Sequence, residues 1–216
     1  MCAQSGSVTS RIMEGFWIGV LAGYGIAIPV GAIAVLITEV GIRCGFRCAF
    51  FAGAGAATAD LIYATLAVVG GVSLTTVVAP IQEPLRIISA VVLVLIAILG
   101  LRKARRRRPP PAEFVFPDRR ELAGTYARFL GLTVINPATV VYFAAFIVGL
   151  GVARDMTPAQ EALFVTGAFL ASLSWQTLLA GVGAFAGHRL PHKTQTAAII
   201  AGNILILIIA GLILVQ

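Results

Sequence analysis

Charge is what this chain has least of. Only 12% of its 216 residues are Asp, Glu, Lys or Arg, about half the share of an ordinary soluble domain. That scarcity excludes a water-facing globular surface. Histidine and cysteine are also rare, with two and three residues respectively. Cys44 and Cys48 are four apart and would share one helix face, but a metal or redox role needs further ligands that are not nearby. They are expected as free thiols at a helix end. His188 and His192 are separated by Pro191 and stand beside Arg189 and Lys193 in a short loop, which does not suit a metal site. A nucleotide-binding P-loop, a Gly-rich dinucleotide turn, a Ser/His/Asp set and a zinc-protease signature are all missing. The expectation is therefore a protein that is not an enzyme and has no cofactor or catalytic residues. The opening residues, MCAQSGSVTS, lack the positive n-region of a secretory signal. The apolar run that follows them is expected to remain as a membrane span.

What the chain does have is length of apolar sequence, with 59% hydrophobic residues. Six runs stand out, at about 16–37, 48–70, 85–101, 129–151, 162–185 and 197–215. Each can cross a hydrocarbon core of about 30 Å at a rise of about 1.5 Å per residue, the third only just. Their continuous apolarity predicts helices rather than the alternating strands of a barrel. The expectation is an all-α integral membrane protein.

Its positive charges sort by loop. Thirteen of the sixteen Lys and Arg residues fall at the 1–2, 3–4 and 5–6 connections, including Arg43, Arg47, Arg128, Arg189 and Lys193. Only Arg11, Arg86 and Arg154 lie on the other side. The positive-inside rule then puts the odd-numbered loops in the cytoplasm and both termini outside. The stretch RKARRRRPPP is read as an orientation anchor in a Pro-stiffened linker, with anionic lipid headgroups as contacts near residues 102–108. The membrane accounts for the net charge of +7, so no nucleic-acid partner is inferred.

The six spans suggest three plus three. GYGIAIP (23–29) and GLTVINP (131–137) both read G-x5-P in the first span of each half. In the second spans, FFAGAGAATAD (50–60) lies over FVTGAFLASLS (164–174), which pairs Asp60 with Ser174. An odd number of spans per half makes the second half enter from the opposite side, so the expectation is two inverted three-helix repeats. The first repeat is 1–101, the basic linker is 102–122 and the second repeat is 123–216.

Asp60 is a carboxylate near the middle of a span. It should face protein or water rather than lipid, and Gly53, Ala56, Ala57 and Ala64 on its face allow another helix to come close. Tyr63 is one turn away. Pro29 and Pro137 each free carbonyls in the preceding turn. Such opened backbone survives in a membrane only where protein or a wet cavity satisfies it. Gly31 and Asn136 flank these prolines. Ser174, Trp175 and Gln176 complete the candidate binding set; Tyr24, Tyr142 and Asn203 are secondary. For each of these a packing role stays open.

These residues carry a family resemblance. GIAIPVGAIAVLI, GFRCAFFAGAGAATADLIYATLA and FLGLTVINPATVVYF, together with the size and six-span layout, resemble the LysE-type (LysE/RhtB superfamily) amino-acid exporters. The family often shows Pro-Gly-Pro where this chain has Pro29-Val30-Gly31, and Asn-Pro-Lys where it has Asn136-Pro137-Ala138. The resemblance implies an ion-coupled exporter of small amino acids or related metabolites in the cytoplasmic membrane. Its site would lie near Asp60 and the two Pro breaks, with a proton as the expected coupling ion. An inorganic cation exporter, a non-transporting scaffold, an intramembrane enzyme and self-association into a homo-oligomer stay open.

Overall fold

The computed structural model describes residues 4–28, 31–70, 82–106, 118–136, 139 and 156–215. Among them are seven helices: α1 (Gln4–Ala27), α2 (Ala32–Cys44), α3 (Phe46–Gly70), α4 (Gln82–Arg106), α5 (Arg119–Val134), α6 (Pro158–Arg189) and α7 (His192–Val215). Long runs rich in Ala, Leu and Ile favour this outcome, because in lipid each backbone amide must find its partner within its own segment.

Three helical stretches are long and apolar enough to cross a membrane: Phe46–Gly70, Pro158–Arg189 and Lys193–Leu212. The stretch expected as one first span holds two helices, α1 and α2, whose axes meet at 78°; together they are apolar enough for one broken span or a re-entrant turn. The fourth expected span, 129–151, overlaps α5 only as far as Val134, and its part beyond Asn136 lies outside the described residues apart from Thr139; α5 itself starts at its N-cap, Asp118. Its carboxylate accepts from the Glu121 N–H at 2.7 Å, and the Glu121 carboxylate accepts from the Asp118 N–H at 3.3 Å. This reciprocal cap satisfies two of the helix's free donors. α6 opens on Pro158, with the Thr157 N–H donating to Gln160 Oε1 at 2.8 Å.

The packing inverts the pattern of a water-soluble protein. The buried residues are mostly alanine, and on α3 they run Ala49, Ala52, Ala56, Ala57, Ala59 and Ala64. The large apolar side chains point outward, as at Leu21, Val69 and Phe185, with exposures of 71%, 81% and 66%. Lipid solvates such a surface and water does not.

Small residues set the helix spacing. α6 lies against α1, α2 and α3, α5 packs on α3, and α4 pairs with α7. A Cβ added at Gly53 would sit 2.8 Å from the Gln176 Cβ, which fixes α3 close to α6. One contact occurs twice. A Cβ at Gly55 would lie 3.0 Å from the Leu130 backbone nitrogen, and a Cβ at Gly167 would lie 3.0 Å from that of Val20. α3 thus meets α5 as α6 meets α1.

Between α2 and α3 the chain turns at Gly45, whose φ of 83° suits glycine. The turn brings the Cα atoms of Cys44 and Cys48 to 5.8 Å and sets their sulfurs side by side, within reach of a disulfide bridge. The expectation of one shared helix face there is corrected. A shared helix face was assumed, but Gly45 breaks the helix between the two cysteines.

Candidate functional site

Asp60 lies in the body of α3, on the face lined by Ala56, Ala57 and Ala64, and is 6% exposed. Among the described residues it is the charged side chain that the fold buries most deeply. Its Oδ2 accepts a hydrogen bond of 2.6 Å from Ser172 Oγ on α6, and Ser172 is fully buried. Close contact of α3 and α6 at Gly53 and Gln176 makes that bond reachable for two short side chains. A charge-assisted bond of this kind helps a carboxylate persist away from water.

The other expected residues fall around this pair in several places. Ser174 does not meet Asp60: its hydroxyl lies 2.7 Å from the Tyr24 hydroxyl of α1 and donates to the Ala171 carbonyl at 2.8 Å. Tyr63, one turn beyond Asp60, donates to the Val134 carbonyl at the end of α5. Gln176 is buried against Gly53, and its Oε1 has no partner. Trp175 lines a cavity of about 220 Å³ with Thr38, Glu39 and Ile199, and its Nε1 is buried without a partner.

Gly31 is the residue before α2 and has no side chain to cap that helix. Asn136 follows α5, and its N–H donates to the Thr133 carbonyl at 3.2 Å. Asn136 shares a cleft of about 10 Å³ with Ala32 and Ile33 at the start of α2, so the ends of the two interrupted segments are neighbours. Pro29, Pro137 and Tyr142 lie outside the described residues.

Sequence reasoning missed Ser172. The only signal was a second serine two residues before Ser174 in an Ala-rich run, where a shift of two costs few matches. It also missed a polar group at the far end of α2. There Glu39 and Arg43 form an ion pair of 2.6 Å, and the Asn203 Nδ2 of α7 donates to Glu39 Oε2 at 2.8 Å. The (i, i+4) spacing of Glu39 and Arg43 was the available signal.

Helices with lipid-suited exteriors, small-residue interfaces and polar pairs held between spans define an all-helical membrane protein. The LysE type translocator model matches residues 24–216, and the chain belongs to that family. Family membership makes it a translocator with a small-molecule substrate. Among characterised proteins it is similar to the "Chemotactic transduction protein ChpE" of Pseudomonas aeruginosa, at 30% identity over 162 residues, covering 74% of this chain and 77% of that protein. No solved structure matches the chain.

Proposed function

We propose that the protein is a secondary active exporter of small amino acids or related metabolites in the cytoplasmic membrane, with Asp60 as the ion-coupling group. The observation that carries this reading is the Asp60–Ser172 pair, a carboxylate buried between two long apolar helices. A carboxylate at such a place can take a proton, lose its charge and alter the cost of its own burial. It therefore couples ion occupancy to the way α3 sits on α6. A proton is the ion that a single carboxylate with a hydroxyl partner suits best, because a dehydrated metal ion asks for more ligands.

An inverted repeat supports alternating access by rocking of the two halves. The doubled glycine contact supports the repeat, and so does its spacing. Asp60 and Ser172 are 112 residues apart, as are Gly55 and Gly167. In this register Asp60 and Ser172 are repeat-mates that touch, as residues beside a two-fold axis do. The substrate's path would pass the ends of α2 and α5, beside Gly31 and Asn136.

The test is uptake of labelled amino acids into inverted vesicles, with and without a proton gradient. Wild type should accumulate at least one of the panel only with the gradient. Asp60→Asn keeps size and much of the hydrogen bonding, so a monodisperse variant should lose gradient-driven uptake by more than about tenfold, the equivalent of about 1.4 kcal/mol. Normal uptake by that variant would make Asp60 structural. The name of the Pseudomonas relative favours a second reading, a membrane component of signalling that moves nothing. Uptake at background for wild type across the panel would favour it.

A further inference from the structure

Several of the closest helix contacts join the two expected repeats to each other. α1 stands in the first repeat and α6 in the second, yet three glycines of α1 seat on the α6 backbone. A Cβ at Gly15 would lie 2.6 Å from the Gln160 carbonyl oxygen, one at Gly19 2.8 Å from the Phe164 Cα, and one at Gly23 2.9 Å from the Ala168 Cα. Gly167 of α6 seats on Val20 from the other side. The spacing of four puts the three α1 glycines on one face, so the two backbones touch over about two turns. α2 is seated on α6 as well: a Cβ at Gly41 would lie 2.8 Å from the Ala184 nitrogen, and one at Gly187 3.0 Å from the Ile42 Cα.

α5 and α3 form the matching pair, again one from each repeat. Gly55 of α3 meets the Leu130 backbone as Gly167 of α6 meets that of Val20. Polar bonds hold this pair on both sides of Asp60. Tyr126 Oη donates to Thr58 Oγ1 at 2.9 Å, and Tyr63 donates to the Val134 carbonyl. In the α1–α6 pair the bond between Tyr24 and Ser174 lies two residues beyond Ser172. Where a glycine seats on a facing backbone, a small shift drives a side chain into space that only hydrogen fits, so these seams behave as rigid units.

Between the two pairs lies the joint of α3 with α6. Its polar contact is the Asp60–Ser172 bond, which one proton on the carboxylate can alter. A two-fold axis that exchanges the repeats carries α1–α6 onto α5–α3 and leaves α3–α6 on itself. The joint on the axis is the natural hinge of such an arrangement.

We infer that the bodies that move are these exchanged pairs: α1, α2 and α6 as one, α3 and α5 as the other, hinged where α3 crosses α6. Neither body is a continuous stretch of sequence. The axis exchanges them, as equivalent inward and outward forms require. Bodies made of the sequence halves would have to break the α1–α6 seam and the α3–α5 bonds in every cycle. In what the motion accomplishes this rests on the export reading; in which helices move together it rests on the packing.

The test is distance measurement by electron paramagnetic resonance on the full chain in lipid vesicles, its own cysteines replaced. Spin labels go in pairs at exposed positions: Leu21 on α1, Phe185 on α6, Val69 on α3 and Arg120 on α5. Each pair is compared between the parent, Asp60→Asn and Ser172→Ala, which alter the hinge bond from its two sides. The Leu21–Phe185 and Val69–Arg120 distances should hold within about 2 Å, while Phe185–Val69 and Leu21–Arg120 shift, or gain a second population, by about 5 Å. A constant Leu21–Val69 distance with a changing Leu21–Phe185 distance would return the motion to the sequence halves and overturn the inference. Constancy of every distance in both variants overturns it too. The expected pattern in a protein that takes up no substrate under a gradient would defeat the export reading alone. Gradient-driven uptake with any other pattern would defeat the exchanged pairs alone.

Discussion

The Asp60–Ser172 bond should be energetically asymmetric. Ser172→Ala removes the donor and leaves a buried carboxylate oxygen with one partner fewer, which costs about 1–3 kcal/mol. Asp60→Asn followed by Ser172→Ala should cost less than the two single changes added, because the second removes a bond already weakened. Unfolding in detergent of the four members of this cycle gives the coupling, and additivity within about 0.5 kcal/mol would show that the pair does not act as a unit. Asp60 was legible in the sequence because a lone carboxylate in an apolar run needs a reason. Ser172 was not, since a serine in an Ala-rich run reads as packing and only the fold brings it to Asp60. Glu39 and Arg43 were harder still. In the sequence Arg43 is an orientation charge at the edge of a span, and only folding brings α2 and α7 together.

At the level of elements, the apolar runs at 48–70, 162–185 and 197–215 fall on α3, α6 and α7, and most of the run at 129–151 lies outside the described residues. The residues expected as the linker 102–122 are helical at both margins, because α4 continues to Arg106 and α5 begins at Arg119. Apolarity marks where lipid is, whereas capping residues such as Asp118 mark where a helix begins. The first run was read as one span with a proline in it. The 78° between α1 and α2 makes it two pieces, and the 13 residues of α2 extend only about 20 Å, short of the ~30 Å core. Helix spacing offers a sharper test within one element. On α6, Gly181 has open space where a Cβ would go, while a Cβ at Gly183 would lie 3.0 Å from the Thr38 Cα and 3.1 Å from the Gly41 Cα. Gly183→Ala should therefore cost about 1–3 kcal/mol by pushing α2 off α6. Gly181→Ala should be neutral or gain up to about 1 kcal/mol from helix propensity. Thermal unfolding of the two variants in the same detergent checks the contrast, and equal shifts would refute it.

For the molecule as a whole, we propose the orientation that the positive-inside rule gives, with the thirteen positive residues of the odd-numbered loops in the cytoplasm. A cysteine introduced at Arg120, in a chain whose own three cysteines are replaced, should resist a membrane-impermeant thiol reagent applied to intact cells and react after permeabilisation. Reaction in intact cells would invert the topology. The Cys44–Cys48 pair sits in the loop that charge assigns to the cytoplasm, a compartment that keeps most thiols reduced. Mass analysis of alkylated protein from rapidly quenched cells should therefore find both thiols alkylated in a large fraction of molecules, with the bridge closing on oxidation. A bridge that is fully closed in growing cells would argue that this loop faces outward.

The alanine lining of α3 has a mechanical corollary. Ordinary helix interfaces lock because branched side chains form ridges that must climb out of their grooves before one helix can shift on another. The buried face of α3 carries Ala49, Ala52, Gly53, Ala56 and Ala57, and so presents low, even relief to α6. α6 buries the small residues Gly167, Ala168 and Ala171, and also Gln176, which seats at Gly53. Resistance to movement is then concentrated where polar groups grip, at Asp60 and Ser172. On the export reading proposed above, that bond would act as a detent on the joint, and protonation of Asp60 would loosen it.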